Sequence, residues 1–252
     1  MNEYALNEVH HVDLFTLCHS LPDASVDCVI SDLPYGTTQS KWDSVIPLEP
    51  MWERFKRVIK PRGAIVLTAN QPFTSALVMS NPSWFHEELI WIKQHPKGFL
   101  DARRKHMDAH ETVLVFCEGL PTYNPQGLQP VKVKNSRKNK AGNGVYGKVD
   151  SANYVQLEGN FPRTTLYFDA VTHGNLHPNQ KPVALFRYLI RTYTQPGELV
   201  LDPCVGSGTT ALAAREESRR FICGDTSLEY VEVARKRLAA PYTLPMFTEA
   251  SS

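Results

Sequence analysis

Short apolar runs alternate with amphipathic stretches along most of this chain, a pattern that predicts βαβ units and a mainly parallel sheet. Ser25-Val26-Asp27-Cys28-Val29-Ile30 reads as a buried strand that delivers Asp32 at its C-terminal end. From Glu49 to Ile59, the residues Met51, Trp52, Phe55, Val58 and Ile59 recur at helical spacing, and Lys60-Pro61-Arg62-Gly63 is expected to stop that helix. Ala64 to Thr68 follows as a strand and a helix begins near Pro72. Glu88 to Lys93 and Thr112 to Cys117 read as strands joined by a long polar loop. Between Leu120 and about Asn175 the period dissolves into Gly, Asn, Pro and Lys. Order then returns: helix from Pro182 to Tyr193, strand from Glu198 to Asp202, helix from Thr209 to Ser218, strand from Arg220 to Cys223, helix from Leu228 to Leu238. The simplest account is one α/β fold interrupted by an irregular insert, because structureless stretches longer than about 15 residues are usually functional or disordered. The expected divisions are residues 1–119, an insert at 120–175, a returning part of the same domain at 176–240, and a tail at 241–252.

Composition narrows this picture. With 252 residues, 42% of them hydrophobic and 21% charged, the chain is ordinary globular material, which excludes collagenous, disordered and coiled-coil readings of the whole. Five widely spaced cysteines (Cys18, Cys28, Cys117, Cys204, Cys223) without a C-x-x-C pair fit reduced thiols and a cytoplasmic setting. The N-terminal segment lacks the basic and apolar regions of a secretory signal, and no apolar run is long enough for a membrane span.

Two turns carry candidate chemistry. Near the end, Asp202-Pro203-Cys204-Val205-Gly206-Ser207-Gly208-Thr209-Thr210-Ala211 links a strand tip through a glycine turn to a helix start. Gly206 and Gly208 allow close backbone approach to a ligand, and Asp202 can accept a hydrogen bond from a cationic or hydroxyl-bearing group. Asp225 ends the next strand 17 residues after Gly208, about where an acid meets ribose hydroxyls. A nucleoside cofactor is implied. The spacing Gly206-x-Gly208-x-x-Ala211 also satisfies the permissive dinucleotide fingerprint, so an NAD oxidoreductase and a purely structural turn both stay open at this point. The carboxylate of Asp202 suits the ammonium of an amino-acid-bearing cofactor better than a pyrophosphate. In the first half, Asp32-Leu33-Pro34-Tyr35 combines an acid, a carbonyl before proline and an aromatic, a group able to hold a planar amine or simply to end a strand.

Taken together, these motifs resemble the S-adenosylmethionine-dependent DNA amino-methyltransferases, in the permuted class whose catalytic motif precedes the cofactor motif. The family's D-P-P-Y is matched by Asp32-Leu33-Pro34-Tyr35, with Leu33 in place of proline, and its D-P-F-x-G-S-G-T by Asp202 to Thr209, with Cys204 in place of the aromatic. His177-Pro178-Asn179-Gln180-Lys181-Pro182 is similar to the H-P-x-x-K-P element beside the methionine end of the cofactor. Asp225 falls where the family's ribose-binding acid lies, Val12-Asp13 where a Gly-Asp borders the adenine, and His110 to Phe116 on a strand common in this class.

The resemblance implies a Rossmann-like methyltransferase fold with S-adenosyl-L-methionine held by Asp13, Lys181, Asp202, Pro203, Gly206, Ser207, Gly208, Thr209 and Asp225. It also implies a catalytic set of Asp32, Leu33, Pro34 and Tyr35 acting on a base flipped out of double-stranded DNA. Asp32 and the Leu33 carbonyl would accept both amino hydrogens and free the nitrogen lone pair for direct methyl transfer, with no metal or covalent intermediate. Tyr35 would cover the flat face of the base. Asp at the first motif position points to adenine N6, with cytosine N4 as the close alternative, and a DNA-binding protein with a vestigial catalytic fold is the rival from a different class. Cys204 and the pair His106 and His110 read as packing and surface residues rather than as nucleophile and metal ligands. The family often dimerises, so a homodimer is an option.

Net charge is only +1, which at first disfavours a polyanionic partner. Residues 93–149, however, carry eleven Lys+Arg against four Asp+Glu, so the rest of the chain has an acidic surplus of six. Lys132, Lys134, Arg137, Lys138 and Lys140 in the insert, with Lys97, Arg103, Arg104 and Lys105 before it, are therefore the expected DNA contacts.

Overall fold

A computed structural model describes residues 4–36, 45–131, 136–137, 154–155, 157–170 and 180–240, with the backbone alone at 136–137 and 154–155. Among these residues the chain runs β1 (Glu8–His11), α1 (Leu14–Ser20), β2 (Val26–Asp32), α2 (Leu48–Val58), β3 (Ile59–Ala69), α3 (Phe73–Ser80), β4 (Phe85–Lys97) and β5 (Asp108–Phe116). Four two-residue strands follow, β6 (Gln129–Pro130), β7 (Ser136–Arg137), β8 (Tyr154–Val155) and β9 (Glu158–Gly159). The chain then continues through β10 (Thr165–Tyr167), α4 (Val183–Tyr193), β11 (Leu199–Asp202), α5 (Thr209–Glu216), β12 (Arg220–Asp225) and α6 (Leu228–Ala239).

Eight strands form one sheet in the order β1-β12-β11-β2-β3-β5-β4-β10. Five of its seven pairings are parallel; β5 is the exception, antiparallel to both neighbours. Alternate residues along each central strand point to opposite faces, and both faces are apolar, as a sheet covered on both sides requires. Cys28, Ile30, Val66, Val115 and Val200 pack under α4, α5 and α6, whereas Val29, Ile65, Leu67, Leu114 and Leu201 pack against α1, α2 and α3. The result is a three-layer α/β/α fold.

Local chemistry explains most of the boundaries. Asp13 caps α1 by accepting from the Phe15 and Thr16 amides at 2.8 and 3.1 Å. Met51, Trp52, Phe55 and Val58 form the buried stripe of α2. Lys60-Pro61-Arg62-Gly63 ends that helix but does not become a separate turn. It is a bulge inside β3: Ile59 pairs with Val26, Ala64 with Cys28, and Lys60 reaches back to Asp27 at 2.7 Å. His106 and His110 do not share a helix, because His110 stands in β5. The strands expected at 88–93 and 112–117 are parts of a longer antiparallel pair, 85–97 with 108–116.

Residues 125–163 form a compact unit separate from 1–124 and 164–252. It is shorter than the expected insert, since Thr165–Tyr167 pairs with β4 at the edge of the main sheet. Within it, β6 pairs antiparallel with β9 and β7 with β8. Lys132, Lys134, Lys138, Lys140, His177, Pro178, Asn179 and the tail lie outside the described residues, and Arg137 is described only as backbone in β7.

Candidate active site

The sheet's organisation fixes where a ligand can sit. The helix that follows β11 covers one face and the helix that follows β2 the other, so a crevice opens beyond the carboxyl ends of these two neighbours. Four adjacent parallel strands present an acid at or just past that edge: β1 Asp13, β12 Asp225, β11 Asp202 and β2 Asp32. At about 4.8 Å per strand the row spans roughly 14 Å. A cavity of about 350 Å³ lies along it, lined by all four acids and walled by apolar groups including Leu14, Phe15, Val205 and Phe186. Its size is typical of small-molecule sites.

Asp202 is 2% exposed. Its carboxylate accepts from Ser31 Oγ at 2.7 Å, from the Cys204 amide at 3.0 Å, and from the Thr210 hydroxyl. Burial nevertheless pushes its pKa up to about 7, against the pull of those hydrogen bonds and helped by the charge of Asp32. Asp225 accepts from the Gly206 and Ser227 amides at 2.8 and 2.9 Å, which ties the glycine turn to the tip of β12. Gly206 and Gly208 do different jobs. Gly206, at φ +51°, lines the cavity. Gly208 does not line it; a Cβ there would stand 2.8 Å from that of Ala234, so this glycine lets α5 pack on α6. Pro203, Ser207 and Thr209 line the cavity with Lys181. Cys204 does too, but burial and the charges of Asp202 and Asp225 push its thiol well up, which removes the thiolate a nucleophile needs.

The Asp32 end is built as an ion chain. Lys181 Nζ donates to Asp32 Oδ2 at 2.7 Å and lies 3.2 Å from Glu111 Oε2, an ion pair without hydrogen-bond alignment. The other oxygen of Glu111 accepts from Lys93. Charges thus alternate Lys93, Glu111, Lys181, Asp32, and the first three side chains are almost fully buried. Burial alone would depress the Lys181 ammonium, but Asp32, Tyr35 and Glu111 together hold its pKa well above the ordinary value. Burial would likewise raise the Glu111 carboxyl, yet Lys181 and Lys93 pull it down to about 2. Asp32 Oδ1 accepts from the Tyr35 hydroxyl at 2.5 Å and from the Thr68 hydroxyl.

Tyr35, expected to cover the flat face of the base, is engaged within the chain in this structure. Its ring stacks on Phe73 at 5.4 Å and its hydroxyl is committed to Asp32. Leu33 is 3% exposed and packs in the layer of α1 to α3, so the departure from proline anchors the motif in the core. Glu111, Lys93, Thr68 and Ser31 were not anticipated as site residues. The available signal was a charge at the end of each apolar strand run, Lys93 after Leu89-Ile90-Trp91-Ile92 and Glu111 before Thr112-Val113-Leu114. Lys97, Arg103, Arg104 and Lys105 are exposed at the tip of the β4–β5 hairpin, away from the cavity lining. Among the described residues no cluster of His, Cys, Asp or Glu is arranged to hold a metal, and no helix is long and apolar enough to cross a membrane.

A family model described as DNA methylase, N6_N4_Mtase, matches residues 26–236. The chain belongs to this DNA methylase family. It is 28% identical to the type II methyltransferase M.BglII of Bacillus subtilis, over 93% of this chain and 69% of that one. It is 25% identical to the DNA adenine methyltransferase YhdJ of Escherichia coli, over 90% and 81%. The fold superposes on M1.HpyAVI in its complex with SAM at TM-score 0.60 (24% identity, covering 91% of this chain and 98% of that chain). The PvuII cytosine-N4-specific DNA methyltransferase superposes at TM-score 0.63 (19% identity, 91% and 85%). Within this DNA methylase, the motif strands β2 and β11 both lie in the matched region.

Proposed function

We propose that this DNA methylase transfers a methyl group from S-adenosylmethionine to the N6 amino group of adenine in a base flipped from double-stranded DNA. The reading places the enzyme in the permuted class, because the strand carrying Asp32 precedes the strand carrying Asp202 in the chain. The observation that supports it most is the row of four acids along one cavity that ends at Asp32. The cavity suits an adenosyl amino acid: Asp202 faces an ammonium, Asp225 the ribose hydroxyls, and the wall near Asp13 and Phe15 the adenine. Bound there, S-adenosylmethionine would supply an electrophilic sulfonium methyl. Lys181 orients Asp32 through Oδ2. Oδ1 and the Leu33 carbonyl accept the amino hydrogens of the target, which frees the nitrogen lone pair, and Oδ1 receives the proton that the methylated amine sheds. For the target amine to reach Oδ1, the Tyr35 hydroxyl yields its place, which leaves the phenol ring beside the incoming base.

Cytosine N4 is the second reading, favoured by the fold shared with the PvuII enzyme. Modification-sensitive sequencing of DNA from cells expressing the chain, with nucleoside mass spectrometry, tests both. N6-methyladenine at a defined site is the expected result, N4-methylcytosine overturns the base assignment, and unmodified DNA overturns the function.

Two predictions follow from the site and the insert. Because burial raises the Asp202 pKa to about 7 and the ligand's ammonium favours the ionised form, S-adenosylhomocysteine affinity should fall about tenfold per pH unit below pH 7. Calorimetry from pH 5.5 to 7.5 checks this, and Asp202→Asn should flatten the slope. Reversing the charges of Lys134, Arg137 and Lys138 should weaken DNA binding and lower its salt dependence, each lost phosphate contact reducing the log-log slope by about 0.9. Unchanged affinity and slope in a salt titration would remove the insert from the contact surface.

A further inference from the structure

The hairpin β4–β5 extends beyond the sheet edge that holds the cavity. Asp32 pairs with Thr68, Ala69 with Thr112, and Thr112 with Ile90, so Ile90 stands at the level of the catalytic tip. Strand β5 is antiparallel to both β3 and β4, so β4 runs in the same direction as β2. It continues to Lys97, which pairs with Asp108 four residues beyond Thr112 along β5, roughly 13 Å at strand rise, with a bulge between Ile92 and Lys97. At the tip Gly98, with φ +90°, starts a 3-10 turn at Phe99–Asp101, and the Asp101 and Ala102 amides donate back to the Gly98 and Phe99 carbonyls. This ordered turn holds Phe99 at 79% and Leu100 at 98% exposure. Lys97, Arg103, Arg104 and Lys105 flank them along the chain, all exposed, with Asp101 the one acid inside the turn.

Two adjacent large apolar side chains held in water, with cations before and after them in the same hairpin tip, match a duplex: phosphates for the cations, stacked bases for the apolar pair. We propose that Phe99 and Leu100 form an apolar wedge that enters the DNA stack beside the target and fills the space the flipped base leaves. The proposal rests on the DNA-methylase reading above and adds to it the element that opens the helix. The four cations seat the hairpin on the backbone without reading sequence, and the wedge offsets the unstacking that flipping requires.

The test uses the full chain, wild type and Phe99→Ser/Leu100→Ser, on a duplex carrying the target found by sequencing, with 2-aminopurine at the target adenine (pyrrolocytosine if the base is cytosine). Wild type should raise the analogue's fluorescence. The double variant should melt at the same temperature, bind with the same salt slope, lose the fluorescence rise and methylate the natural duplex about tenfold or more slower. A duplex abasic opposite the target, where unstacking is cheap, should restore its rate. Equal fluorescence and rate in wild type and variant overturn the wedge alone. A shift from dimer to monomer in sedimentation on making the variant overturns it in favour of a surface for a second copy. A wild type that methylates no duplex overturns the DNA reading and the wedge with it.

Discussion

Asp32→Ala should lower methyl transfer by about a thousandfold or more while S-adenosylhomocysteine binds within a few-fold of wild type. The separation follows from the geometry. Asp32 ends the row of acids on the side of the catalytic motif, whereas the cofactor's expected contacts with Asp202 and Asp225 are held by Ser31, Thr210, Gly206 and Ser227 and do not pass through Asp32. On the proposed mechanism, removing the carboxylate takes away the acceptor that would stabilise positive charge on the amine as it develops, the step at which fixed electrostatics act most strongly. The fold should tolerate the change, because Lys181 keeps Glu111 at 3.2 Å. A tritiated-methyl assay with calorimetry on the same preparation checks both halves. An active variant would remove Asp32 from the chemistry; an inactive one that no longer binds the cofactor would make it a cofactor residue instead.

Much of the scaffold was legible because burial writes a period into the chain. β2, α2, α4, β11, α5, β12 and α6 were readable within two or three residues, each having an apolar run or stripe that only one geometry places in a core. The bulge at 60–63 was not, since Pro and Gly after a helix look the same whether the chain turns away or the next strand absorbs them, four residues opposite the single Asp27. Nor was β10, whose three residues borrow their stability from β4 and carry no pattern of their own. At the site, the motif residues that line the cavity are consecutive in the chain, while Thr68 meets Asp32, and Glu111 and Lys93 join it through Lys181, from other strands. Such partners are set by sheet order, and the order β2-β3-β5-β4 is not written locally. Gly208 shows the converse limit: its place in the motif suggested contact with the cofactor, and its backbone serves the packing of α5 on α6.

Glu111→Gln should destabilise the fold by about 3–5 kcal/mol, because it leaves buried ammonium charge without its counter-ion. Lys93 is the most affected: its side chain is 3% exposed, its ion partner among the described residues is Glu111, and burial already lowers its pKa against that partner's pull. Lys181 keeps Asp32 and so retains its charge, but loses one of two carboxylates that hold it in place. At roughly 2–4 °C per kcal/mol for a chain of this size, the melting temperature should fall by about 10 °C. If the loss comes from uncompensated charge and not from lost shape, Lys93→Met/Glu111→Leu should recover most of it, since apolar replacement of a whole buried pair is often neutral. A double variant no more stable than Glu111→Gln would contradict that account. The pH dependence carries the same sign: with its folded pKa at about 2, below the unfolded value of 4.5, Glu111 stabilises the fold above pH 4.5 and loses that contribution as pH falls through about 2. Melting curves of wild type from pH 6 down to pH 3 should therefore fall more steeply than those of the apolar double variant. The same comparison separates fold from chemistry: the double variant keeps Lys181 on Asp32, so a restored fold with a low kcat and an unchanged KM would assign Glu111 to positioning Lys181 against the Asp32 carboxylate.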